Sequence, residues 1–154
     1  MNSRDEVTFR LGLADGFLRE AEQDLQLERW RSCVDNSQLA AKNAGKSVLA
    51  LFGVPPKTHE PARELAALVR SLDLPATLQE MINGMLPDLL SLGLAEHFMT
   101  DYGDEATYTL PWELFSRDSA VQAFDKARRT LTAAREVVTK AKDLSRAQGP
   151  ANFS

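Results

Sequence analysis

Residues 30–52 read WRSCVDNSQLAAKNAGKSVLALF. Small or apolar residues recur at Val34, Ser37, Ala41, Ala44, Val48 and Leu51, in steps of three and four. That spacing holds them on one stripe of a 3.6-residue turn and predicts an amphipathic helix. The same stretch contains AAKNAGKS at Ala40–Ser47, which satisfies the relaxed phosphate-loop pattern. A phosphate loop needs a preceding strand and a glycine turn whose backbone N–H groups are free to surround an anion. Here the stripe runs unbroken through the motif, so those N–H groups are expected to be consumed by helix bonds. Gly45, with Ala40, Ala41 and Ala44, then reads as a flat seam that lets another helix approach. A mid-helix glycine costs about 1 kcal/mol against alanine, which close packing offsets. Gly53-Val54-Pro55-Pro56 ends the helix, because proline cannot continue one and biases its predecessor to extended geometry.

Working outward, Val7, Leu11, Ala14, Leu18, Ala21 and Leu25 form a stripe before it. Ala120, Phe124, Ala127, Leu131, Ala134, Val138 and Ala141 form one near the end. A short helix is expected from Thr58 or His59 to about Leu72, with Pro61 in its first turn. Pro75 opens another that turns Leu78, Ile82, Met85, Leu89 and Leu92 inward, with Pro87 expected to kink or split it. No run alternates in the manner of a strand. From Met99 to Ser116 the helical pattern lapses into a long loop, after which Ser116 or Asp118 can cap the last helix. The expected fold is all-α: an antiparallel up-and-down bundle of four to five helices with a long ordered loop before the last. It spans residues 1–147 as one domain, and residues 148–154 form a frayed tail.

Composition narrows the class. The chain has 154 residues, 44% of them hydrophobic, enough for a core without disulfides or metal. Its lone cysteine, Cys33, excludes an internal disulfide. The opening MNSRDEV is not a signal peptide, and no apolar run approaches the ~18 residues of a membrane span. A cytoplasmic protein is expected. The net charge of −4 argues against a dedicated RNA or DNA binder. Residues 71–116 hold eight acids and no Lys or Arg, whereas residues 117–154 hold eight Lys or Arg and four acids. Complementarity within the bundle or across a dimer is the simpler account; binding of phosphate or RNA backbone by the last helix is the other.

Neither His59 nor His97 stands at metal-ligand spacing, so no metal is expected. Cys33 has no neighbouring histidine to activate it. Asp101, Asp104 and Glu105 match no calcium loop and read as a solvated turn. No complete catalytic set and no cofactor site emerges.

Several features recur together: Trp30 at a helix start, Ser37-Gln38-x-Ala40-Ala41, Lys46 before the last turn, and Pro56-Lys57-Thr58-His59. With the stripe of the first helix and the segment from Asp101-Tyr102 through Trp112, Phe115 and Ser116, this order resembles the HEPN family (higher eukaryote and prokaryote nucleotide-binding) over about residues 5–145. The resemblance implies a helical bundle, often dimeric. Many HEPN ribonucleases carry an Arg followed after four to six residues by His; Phe52–Val54 and Leu90–Leu92, the corresponding positions before His59 and His97, contain no Arg. Lys42 replaces the glutamate often found after the Ala-Ala pair and reverses its charge. The resemblance therefore implies the non-nucleolytic branch: a homodimeric module that binds a nucleotide, or a separate minimal nucleotidyltransferase in a toxin–antitoxin-like pair. The candidate ligand residues are Ser37, Gln38, Lys46, Lys57, His59, Tyr102, Tyr108 and Arg117, with Lys46 and Arg117 neutralising phosphate and the tyrosines stacking a base. Two alternatives stay open. One is a divergent ribonuclease using His97 and Asp101. The other is a purely structural interaction bundle anchored by Tyr102, Trp112 and Phe115.

Overall fold

A computed structural model describes residues 3–55, 58–93 and 99–148. Helix α1 spans Ser3–Gln26 and α2 Trp30–Leu51, joined by a tight turn in which Glu28 takes a positive φ of 59°. The short α3 covers Pro61–Ser71 and α4 covers Ala76–Ser91. A single turn, α5, runs Pro111–Leu114, and α6 runs Arg117–Gln148. Among the described residues, β-structure is limited to one bridge, between Asp104 and Thr109. The all-α class and the bundle expected from periodicity are what the structure shows.

Cross-helix contacts set the topology. Ser3 Oγ donates to the Ala50 carbonyl, Arg10 Nη1 to Asn43 Oδ1 and Asn36 Nδ2 to Asp24 Oδ2, so α1 and α2 run antiparallel. Arg129 bonds Asp88 and Lys126 bonds Ser91, which makes α4 and α6 antiparallel as well. Cys33 meets the Ala120 carbonyl at one end and Ala50 packs with Val138 at the other, so α2 and α6 run parallel across the middle of the bundle.

Side-chain size explains the arrangement. Ala14, Ala21, Ala40, Ala41, Ala44, Ala120, Ala127 and Ala134 are all essentially buried on α1, α2 and α6, where backbones approach closely. The bulk comes from Leu49, Leu65, Ile82, Met85 and Leu131. Each such burial contributes about 1.5–3 kcal/mol. Helix α2 is buried over most of its circumference, and a stripe through Arg31, Asp35, Leu39, Lys42 and Lys46 stays partly open.

Three local expectations need comment. Ala40–Ser47 is continuous helix, and Gly45 is where α3 seats: a Cβ there would lie 3.0 Å from Pro61 Cβ. Pro87 does not split α4, which continues to Ser91; the proline falls near the end of the helix. The loop before α6 is built rather than slack. Residues 99–102 make a helical turn, Gly103 takes φ 73°, and Asp104 exchanges two backbone hydrogen bonds with Thr109, of 2.9 and 3.0 Å. Ser116 caps α6: its Oγ accepts from the Ser119 N–H while Ser119 Oγ accepts from the Ser116 N–H, both at 3.3 Å.

The charge asymmetry is partly absorbed internally. Asp88 of α4 receives a two-pronged 3.0 Å contact from Arg129, which also pairs with Asp125. Arg135 reaches Asp15 of α1 at 3.0 Å.

Candidate functional site

The open stripe of α2 divides into two halves. In the first, Thr100 Oγ1 donates to Asp35 Oδ1 at 3.2 Å and Arg31 Nη1 donates to the Thr100 carbonyl at 3.1 Å. This half fastens the long loop to the bundle. The second half carries two lysines one turn apart, Lys42 and Lys46, both half-buried. Burial is the main influence on Lys42 and lowers its pKa, while Asp35 and Asp101 pull it back. Burial also lowers the pKa of Lys46, and there the nearby charges add to it: Arg10 on α1 and Lys42 itself. A crowded set of cations, partly stripped of water, is an arrangement that an anion relieves.

Beside Lys42 lies a cavity of about 360 Å³, walled by His59, Glu60, Pro61 and Arg63 on one side and by the end of α4 on the other. Local sequence builds this wall. Thr58 Oγ1 accepts the Glu60 N–H at 2.9 Å and turns the chain, and Pro61 opens α3 as its first residue. The absent side chain at Gly45 lets that proline press onto α2, which brings His59 and Arg63 level with Lys42. The N-terminus of α3, the positive end of its dipole, therefore faces the same cavity as three basic side chains. Such a cleft can hold a phosphate; Glu60, which Arg63 contacts at 3.6 Å, is the carboxylate it contains.

The expected ligand residues fall into separate places. His59 stands on the cavity and Lys46 one turn beyond Lys42. Ser37 is fully buried, set one turn from the thiol of Cys33. Burial holds that thiol up at about 11, an inert structural group. Gln38 is also fully buried, and neither of its amide atoms has a hydrogen-bond partner. Lys57 and His97 lie outside the described residues. Arg117 stacks over Trp30, 4.9 Å from its ring centre, and pairs with Glu28 at 2.8 Å. Trp30 is twelve residues up α2 from Lys42, about 18 Å along the helix axis, so Arg117 is not part of the cleft. Tyr108 occupies the tip of the hairpin at 92% exposure, and Tyr102 is exposed nearby. One acid of that hairpin serves its shape: Asp104 Oδ1 accepts the Ala106 N–H at 3.0 Å.

Comparison with known proteins supplies the family. The family model described as "HEPN domain" matches residues 7–144. The chain belongs to the HEPN family. No curated protein matches it. Among solved structures, TT1696 from Thermus thermophilus is similar, with a TM-score of 0.61 and 24% identity over 89% of this chain and 99% of that one. At that identity the likeness speaks for the HEPN fold alone.

Within this HEPN domain, Lys42 and Arg63 were not among the candidate ligand residues read from the sequence. The reversed charge at Lys42 was a signal that could have found the first. Arg63 looked like an ordinary surface residue until α3 was seated. Among the described residues no cluster of three metal-ligating side chains occurs and no helix is long and apolar enough to cross a membrane.

Proposed function

We propose that this HEPN domain is a non-nucleolytic binding module whose cleft at Lys42 takes the phosphate end of a nucleotide. The observation that carries the reading is the pair of half-buried lysines, Lys42 and Lys46. Lys42 stands on a 360 Å³ cavity rimmed by His59, Arg63 and the α3 N-terminus, with Lys46 one turn further along α2. No bond-making step is required of these groups, and the Arg-to-His spacing of the family's ribonucleases is missing at both histidines. The module acts as a homodimer beside a separate minimal nucleotidyltransferase, in the manner of a toxin–antitoxin pair. The ordered segment before α6 supports that part of the reading, because Tyr102 before the hairpin, Tyr108 in it, Leu110 after it and Trp112 of α5 are all largely exposed. Large exposed aromatics on a shaped surface suit protein docking.

Calorimetric titration with ATP and with pyrophosphate tests the cleft. Both bind, and Lys42→Ala weakens each about tenfold, the loss of one charge-assisted contact. Absence of heat and of any thermal shift with either ligand refutes the reading. Cleavage of labelled RNA that disappears in His97→Ala would replace it with an enzyme.

A further inference from the structure

At one end of the bundle the three long helices enclose open space. The first two turns of α1, the end of α2 and the later turns of α6 surround a cavity of about 650 Å³. Val7, Ala50 and Val138 form a small core cluster there, apart from the main one, and Leu51 packs against it. Val7, Leu51, Phe52, Val138 and Ala141 wall the cavity, so most of its lining is apolar. On α6 the lining residues Val138, Ala141 and Ser145 recur in steps of three and four, which places them on one face.

The rim has the opposite character. Two cations stand on it, Arg4 from α1 and Lys142 from α6. No Asp or Glu lines the cavity, and among the described residues neither cation has an ion-pair partner. Acids close by in sequence are engaged elsewhere: Glu6 holds Arg10 at 3.0 Å, and Asp143 walls a different cavity with Met81 and Arg135. Two of the hydroxyls are spent on the chain itself. Ser3 Oγ donates to the Ala50 carbonyl, and Thr8 Oγ1 to the Arg4 carbonyl at 3.1 Å. An apolar interior thus opens at a positive edge that nothing in its own wall neutralises.

We infer that this cavity binds a small amphiphilic carboxylate. The alkyl chain lies against Val7, Leu51, Phe52 and Val138, and the carboxylate meets Arg4 and Lys142 at the rim. The cavity falls within the ~300–1,000 Å³ of small-molecule sites, which pair apolar walls with a few convergent polar groups. A carboxylate suits the head, because a guanidinium presents two parallel N–H donors to its two oxygens. The site is separate from the Lys42 cleft and does not depend on it. Leu51 lies nine residues past Lys42, about 14 Å along the axis of α2.

Calorimetry on the full chain with hexanoate, octanoate and octanol tests the site. Affinity rises about fourfold for each methylene from hexanoate to octanoate, as burial of alkyl surface requires. Octanol binds about fivefold more weakly than octanoate, a modest difference because the two cations are exposed. The double variant Arg4→Gln, Lys142→Gln brings octanoate down to the level of octanol and leaves octanol and pyrophosphate unchanged. Ala141→Phe fills the cavity and abolishes binding of both chains; a retained melting temperature shows that it folds, and the rim variant stands as the test if it does not. Absence of heat with octanoate, affinity indifferent to chain length, or equal binding of octanol and octanoate overturns the proposal. So does binding to anionic lipid vesicles without binding to monomeric octanoate, which makes the same end of the bundle a membrane contact instead.

Discussion

Lys46 carries its charge in a place that resists it. Burial, Arg10 and Lys42 all press its pKa below that of a free lysine. The folded state therefore binds fewer protons than the unfolded one between the lowered pKa and the ordinary value near 10.5. In that window stability rises with pH, so at neutral pH the protonated lysine is a net cost to the fold. Lys46→Met removes the charge and keeps the stem. It is expected to raise the melting temperature by about 1–2 °C at pH 7, a small effect because the group is only part-buried. The gain fades as the pH approaches that of a free lysine, and scanning calorimetry across pH reads it directly. A bound anion competes for the same benefit, so saturating pyrophosphate shrinks the difference between the variant and the parent.

At the scale of the element, the seam between α2 and α3 is governed by one missing side chain. A Cβ at Gly45 already meets Pro61 at 3.0 and 3.3 Å, and Leu89 stands 3.5 Å away. Gly45→Leu is expected to cost about 2–3 kcal/mol by overpacking, despite its better helix propensity. Denaturant unfolding measures the loss, and the same variant displaces His59 and Arg63 from Lys42, so pyrophosphate binding falls with it. This seam also shows how far the sequence could be read. The stripes of α1, α2 and α6 were legible because each is long and its apolar steps repeat. Gly45 was legible as a close approach, but its neighbour was not. Nothing in the local pattern says which distant proline will sit on it, and so the cavity that the contact creates was hidden. The tyrosines and Arg117 illustrate the opposite limit. Their chemistry suits a nucleotide, yet Arg117 is held by Trp30 and Glu28 at the other end of α2, and Tyr108 stands on a hairpin tip. Residue type suggested a role that only the turn geometry of residues 103–109 could locate.

For the whole molecule, the exposed hairpin makes a separate claim. Trp112 and Tyr108 contribute little to the monomer's interior, being 69% and 92% exposed. The paired substitution Tyr108→Ser with Trp112→Ala is therefore expected to leave the melting temperature of the isolated chain within about 1 °C, as surface changes generally do. Light scattering is expected to show the parent at twice the 17.1 kDa chain mass and the variant at the chain mass. A parent that scatters as a single chain sinks the homodimer, and a variant that stays double moves its contact elsewhere.

The parallel pairing of α2 with α6 has a consequence for how the molecule comes into being. The two helices touch along much of their length, from Cys33 at Ala120 to Ala50 at Val138, but α3, α4, α5 and the loops between them separate the two in the chain. During synthesis the alanine flank of α2 emerges well before the helix that will wall it. Until α6 arrives, the nascent chain offers a long, flat, greasy strip to the cell, so the arrival of that helix decides whether the residues before it fold or aggregate.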